Sequence, residues 1–258
     1  MKTFIINLPS EKERLKNISK QLNSLEIEYE VFHAVYWKDL TKEELNSLYD
    51  NKKTKEYLWR ELTLWEIGCA LSHYFLFKKI VEENIDLALV LEDDAIISKS
   101  IKQIYKELNN KPWRNDYVLL SYSIFDKDEL KRYWWYIYNN FFKKWKIIKS
   151  IIHYLWMLFF SIIDYFLIFL SKIFWPFVIR KYKPQYSTVW YFITKEWAEK
   201  LLKIHNKIFL PSDLLPEKFW KSVNLKFGIT VPRLVTRNDN IFDSCIDALW
   251  KRKQEKVL

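Results

Sequence analysis

The sequence predicts an α/β protein built on a doubly wound mixed sheet, interrupted by an inserted aromatic, amphipathic helical segment. Three observations predict it. Short β-rich runs alternate with capped helical patterns from the first residues onward. A continuous apolar run, Leu87–Leu91, has the character of a strand buried on both faces. The composition then changes abruptly over Tyr133–Lys183, the most hydrophobic part of the chain. The expected organisation is a first α/β half over 1–132, the inserted segment over 133–183, and a second half over 184–258 that completes the same domain.

Thr3–Leu8 is the first strand. Ser10 and Glu13 have capping-box spacing, and Leu15, Ile18, Leu22 and Leu25 repeat along one helical face. Tyr29–Val35 is the next strand, so the chain opens as the strand–helix–strand half of a sheet that holds a ligand above its strand ends. No glycine-rich phosphate loop follows the first strand, which argues against a dinucleotide cofactor or a P-loop. Thr41 with Glu44 caps a short helix, and Asn51–Glu61 is polar enough to be a loop lying over the site. Thr63 with Glu66 opens a long helix whose apolar face carries Ile67, Ala70, Leu71, Tyr74 and Val81. Downstream come a helix around Ile101–Leu108, strands at Tyr117–Ser121 and Ser187–Ile193, a helix capped by Thr194, and late strand near Phe227–Val235.

The 258 residues suffice for one large α/β domain with a substantial core. Aromatic residues at 18%, with 13 Trp, exceed what that core uses, so apolar surface outside it is expected. The net charge of +10 suits nucleic acid, an anionic membrane or anionic small substrates. Basic residues gather beside the apolar segment and do not line the acidic cluster, which speaks against a two-metal nuclease. Cys69 and Cys245 have neither metal-ligand nor disulfide spacing, and Cys69 reads as a reduced, buried thiol. No secretory signal is visible at Met1-Lys2, which gives a cytoplasmic expectation.

The chemistry concentrates at Glu92-Asp93-Asp94, directly after the apolar run. Adjacent carboxylates beside a buried strand need a cation or water. Ligands of α/β sheets gather at the carboxyl ends of strands, so the cluster reads as a site for Mn²⁺ or Mg²⁺, cations that take oxygen ligands. If the strand alternation continues, Glu92 and Asp94 share a face and Asp93 points away. Asp94 is then the principal ligand and Glu92 a second ligand or a ribose contact, with Asp93 acting behind them. The competing reading is that the acids cap the next helix. Asp213, after Pro211-Ser212, is the candidate general base, or equally a turn residue before Leu214; Asp239 and Asp243 are runners-up. Arg14 beside Glu11 and Glu13 reads on its own as a solvated charge, and His73 as a satisfied, partly buried polar residue.

Within 133–183, Ile151–Leu170 is long enough to span a bilayer. Polar residues Lys146, Lys149, His153, Ser161, Asp164 and Ser171 keep approximate helical spacing, a thin stripe beside a wide apolar arc, as in a helix lying in the membrane interface. A single crossing would also separate two halves that one sheet needs on the same side. Basic residues at both ends place both on the cytoplasmic side. An ordinary core helix or an oligomer contact is the alternative.

EIGCALSH followed by an apolar strand ending LEDD resembles glycosyltransferase family 25, of the lipooligosaccharide galactosyltransferase type. INLPSEKERL is similar to that family's opening segment, and STVWYFITKEWAEKLL and the later PSD resemble further landmarks, with a break between about Asp126 and Tyr186. The resemblance implies a GT-A-like fold and direct displacement with inversion at the sugar. It implies UDP-galactose as donor and a lipid-linked oligosaccharide such as lipooligosaccharide as acceptor. It also places Asn7 and Arg14 in the segment facing the donor nucleotide, and makes His73 a site candidate touching donor or acceptor. The expectation is a metal-dependent hexosyltransferase docked on the cytoplasmic face of the inner membrane. A catalytically silent, membrane-associated scaffold with the same fold is the alternative.

Overall fold

The computed structural model describes residues 1–110, 115–121, 178–180, 190–219, 221–231 and 233–237. Within them the chain runs β1 (Lys2–Asn7), α1 (Lys12–Ser24), β2 (Glu30–His33), a 3₁₀ turn at Trp37–Asp39, α2 (Lys42–Leu48), α3 (Asn51–Leu58) and α4 (Leu64–Glu82). There follow β3 (Leu87–Glu92), β4 (Ala95–Ile97), α5 (Ile101–Asn110), β5 (Tyr117–Leu119), β6 (Val178–Arg180), β7 (Tyr191–Thr194), α6 (Lys195–Ile204), α7 (Leu214–Phe219), β8 (Phe227–Val231) and β9 (Val235–Arg237).

Seven strands form one mixed sheet in the order β2-β1-β3-β7-β5-β8-β6. β1 is parallel to both β2 and β3, and β5 to β8; β7 runs antiparallel between β3 and β5 and joins the two parallel groups. Alternation along each strand sorts side chains to opposite faces. Phe4, Ile6, Ala88 and Val90 meet Leu76, Phe77 and Ile80 of α4 and Trp197, Ala198 and Leu201 of α6. Ile5, Leu89 and Leu91 meet Ile18 and Leu22 of α1 and Ile101 and Ile104 of α5. Helices therefore cover both faces, the predicted doubly wound arrangement. Each fully buried Leu, Ile or Phe contributes roughly 1.5–3 kcal/mol relative to exposure.

The capping boxes at Thr41/Glu44 and Thr63/Glu66 form with both reciprocal bonds, and Thr194 accepts the Trp197 N–H. Three expectations are corrected. Ser10 does not cap α1: a turn closed by Glu11 N–H to the Leu8 carbonyl (2.8 Å) encloses Pro9-Ser10, and the helix starts after Glu11 without a side-chain cap. Asn51–Glu61 is mostly helix α3, capped by Asp50, which accepts the Lys53 N–H at 2.9 Å. Its buried Thr54 and its Tyr57 pack on Phe209, so it does not lie over the cleft described below. α4 is buried around a wider arc than one stripe, with Ser72, His73, Leu76, Phe77 and Ile80 inside, because it lies between the sheet and the loops that follow β2.

Val178–Arg180, expected at the end of the inserted segment, is an edge strand pairing antiparallel with β8. Asp239, Asp243, Cys245 and Ile151–Leu170 lie outside the described residues. Among the described residues no helix is long and apolar enough to cross a membrane.

Candidate functional site

From β1 the chain passes through α1 to β2 on one side, and then through α4 to β3 on the other. The crevice above the carboxyl ends of β1 and β3 is thus the point where strand order reverses, the ligand position of open α/β sheets. A cleft opens there. Its lining includes Leu8, Glu11 and Arg14 from the β1–α1 connection, Val35 and Trp37 after β2, Trp65, Cys69 and His73 from α4, and Glu92 and Asp93 from β3.

Gly68 sets one wall. A Cβ there would come within 3.0 Å of the Val35 carbonyl and 3.4 Å of Trp37 Cβ, so only glycine lets the loop after β2 lie directly on α4. Ser72 fixes the contact: its hydroxyl donates to the Gly68 carbonyl (2.7 Å) and accepts the Val35 N–H (2.8 Å). Cys69 is half-buried on the cleft wall and is not the core thiol expected from sequence. Trp37 and Trp65 on this wall went unrecognised in the sequence; Gly68, one of only two glycines, was the available signal.

The acids are placed differently from the alternation argument. β3 ends at Glu92, and Asp93-Asp94 form a turn into β4, so strand periodicity stops before it can send Asp93 away from the site. Asp93 is buried in the cleft wall, where its Oδ2 accepts from Asn7 Nδ2 at 2.7 Å and its Oδ1 lies 2.9 Å from Arg14 Nε. A terminal nitrogen of Arg14 stands 3.4 Å from Asp94 Oδ2. Asn7 also donates to the Glu11 carbonyl at 3.2 Å, tying the start of α1 to the same cluster. The element after the acids is a strand, so the helix-capping reading does not apply. Arg14 is an ion-pair partner inside the cluster, not a solvated charge.

Burial pushes the Asp93 carboxyl up to about 6, against the opposing pull of Arg14 and Asn7. Burial, then the charges of Asp94 and Asp93, push Glu92 well above the usual carboxylate range; Arg14 opposes them and Asp213 adds to them. That last influence brings Asp213 to the site across 121 positions of sequence (213 − 92). Asp213 immediately precedes α7, so its turn position and its proximity to Glu92 hold together. Its loop is braced from below. His205 Nε2 accepts the N–H groups of Phe209 (2.9 Å) and Leu210 (3.3 Å), Thr54 donates to the Phe209 carbonyl (3.0 Å), and Asp50 N–H donates to the Ile208 carbonyl (2.8 Å).

His73 is buried in the cleft lining beside the acids. Its side chain is 3% exposed, with Nδ1 2.6 Å from the Tyr191 hydroxyl and Nε2 3.3 Å from Glu92 Oε1. Burial lowers it to about 4, so it is neutral near pH 7. Within the protein its ring nitrogens meet Tyr191 and Glu92, in the lining of the cleft.

Among the described residues no three His, Cys, Asp or Glu side chains form a protein-only metal cage. The donor chemistry nonetheless fits an ion completed by substrate phosphate and water, as Mg²⁺ sites commonly are. The charges acting on Glu92 include three further carboxylates and one guanidinium, a surplus of negative charge on hard oxygens. Asp94 and Glu92 are the residues able to hold such an ion.

The model of glycosyltransferase family 25 (LPS biosynthesis protein) matches residues 1–216. The chain is 37% identical over 95 residues to procollagen galactosyltransferase 1-A of Xenopus laevis, covering 35% of this chain and 15% of that protein. It is 34% identical over 103 residues to human procollagen galactosyltransferase 2 (39% and 16%). With the lipooligosaccharide biosynthesis protein lic2B of Haemophilus influenzae it shares 29% identity over 104 residues (40% and 37%). The matched stretch thus spans a small part of the procollagen enzymes and just over a third of the bacterial protein. The family match contains every residue gathered at the cleft, from Asn7 to Asp213, and the chain belongs to glycosyltransferase family 25.

Proposed function

We propose that this glycosyltransferase is metal-dependent and inverting, and moves galactose from a UDP-sugar to a lipid-linked oligosaccharide such as lipooligosaccharide, at the cytoplasmic face of the inner membrane. The observation that carries the reading is the convergence of Asn7, Arg14, Glu92, Asp93, Asp94 and Asp213 at the switch point of the sheet. The names of the relatives, galactosyltransferases and a lipooligosaccharide biosynthesis protein, support the sugar and the acceptor class. The aromatic, lysine-flanked segment supports an acceptor held at a lipid surface.

Each residue has a part. Asn7 and Asp93 hold Arg14 at the floor of the cleft, where its positive charge meets the donor's diphosphate. Mn²⁺ or Mg²⁺, held by Asp94 and Glu92, would supply Lewis-acid neutralisation of the leaving diphosphate. Asp213, whose charge acts on Glu92, takes the proton of the acceptor hydroxyl. Holding the hydroxyl and the sugar in line is the other half of the catalysis.

Mass-spectrometric screening of UDP-sugars with Mn²⁺ tests the proposal. UDP release from UDP-galactose, increased by a lipid-linked acceptor, is expected. Folded protein that releases UDP from no UDP-sugar would leave the silent scaffold as the better reading.

A further inference from the structure

A buried histidine that lies against an acid of the cleft has a use beyond filling space. His73 and Tyr191 are 3% and 1% exposed, and Tyr191 comes from β7, in register with Val90 on the strand that ends in Glu92. The Tyr191 ring is itself packed against Tyr117 at a centroid distance of 4.8 Å. The file Tyr191–His73–Glu92 therefore runs from the interior to the cleft through contacts of 2.6 and 3.3 Å.

Proton bookkeeping fixes its polarity. Among the described residues the phenol hydroxyl of Tyr191 has one hydrogen-bond partner, His73 Nδ1. A neutral imidazole carries a single N–H. Were that proton on Nδ1, the buried phenol proton would be left without an acceptor among the described residues. With the phenol donating to Nδ1, the imidazole proton lies on Nε2 and donates to Glu92 Oε1, and both the phenol and the imidazole proton have an acceptor.

We infer that His73 is a positioning residue: oriented by Tyr191, it donates Nε2–H to Oε1 of Glu92 and leaves Oε2 as the oxygen this acid offers to the donor complex. The inference rests on the reading that Glu92 takes part in donor binding. It assigns Tyr191, which belongs to the second half of the chain, a role in the donor half of the site. Groups that orient a ligand-binding side chain from behind typically alter affinity or activity roughly 10–100-fold when removed.

Nitrogen-15 NMR of histidine-labelled protein tests the polarity directly, because the chain has only four histidines. His205 supplies an internal reference of opposite form, since its Nε2 accepts two backbone N–H groups. Wild-type His73 should show the Nε2–H tautomer. Tyr191→Phe keeps the ring, so its thermal midpoint should stay near wild type, while the tautomer becomes mixed and the affinity for UDP with Mn²⁺ falls roughly 10–100-fold. His73→Gln, which retains an N–H donor, should bind UDP more tightly than His73→Leu. An Nδ1–H tautomer in the wild type, or wild-type UDP affinity in Tyr191→Phe, overturns the inference. A wild type with the Nε2–H form that binds no UDP overturns the functional reading, and this inference with it.

Discussion

Replacing Arg14 with Met removes the guanidinium and keeps most of its apolar stem. The structure sets the size of the effect. Arg14 lies 2.9 Å from Asp93 and 3.4 Å from Asp94, and the three side chains are 17%, 8% and 13% exposed. Removing one member of a buried charge pair costs about 3–5 kcal/mol when the partner stays charged. Here Asp93 can escape by binding a proton, since burial already holds it at about 6. A folded-state value above the unfolded one means that the folded protein binds more protons between about pH 4 and 6, so stability falls as pH rises through that window. Without Arg14 the window extends upward. The deficit of Arg14→Met should therefore be small at pH 5, where Asp93 is largely protonated in both proteins, and reach about 3 kcal/mol near pH 8. Chemical denaturation followed by circular dichroism at both pH values measures it. A deficit below about 1 kcal/mol at pH 8, or one equal at the two pH values, refutes the clamp.

Asp94→Asn should keep the melting temperature and lose metal-dependent transfer; near-normal turnover would remove Asp94 from the metal site. Asp213→Asn should lower kcat by a factor of roughly 10² to 10⁴, the usual contribution of a general base, while UDP binds as before. A kcat within twofold of wild type would end its assignment. Replacing aromatic residues of the inserted segment, such as Trp134, Trp135, Trp145 and Trp156, with Ser should release the protein from anionic vesicles in sedimentation assays. Unchanged sedimentation would refute the anchoring proposal.

What was legible in the sequence was local. The boxes at Thr41 and Thr63 join residues three apart, and the strand Leu87–Leu91 is a run of one character, so both could be read directly. The helix at Asn51–Leu58 was not legible because its support is tertiary: Thr54 bonds to the Phe209 carbonyl, 155 positions away. The acids were found by their position at a strand end. Their directions were not, because alternation holds only while the strand lasts and the strand stops at Glu92. His73 shows the same limit, since the groups that decide its role stand 118 and 19 positions off. Asp213 was suggested by its landmark motif, and only the closing of the sheet brought its charge to Glu92.

The placement of β7 has a consequence for how the molecule matures on the ribosome. β1, β2 and β3 can pair as soon as they emerge, but the free edge of β3 and the phenol that orients His73 must wait for a strand made about 100 residues later. Until then a nascent chain carries a bare strand edge that is apolar from Leu87 to Leu91, the kind of surface that seeks another chain. Fragments ending before Tyr191 should aggregate, and Glu92 gains the Tyr191-oriented His73 behind it only once β7 docks.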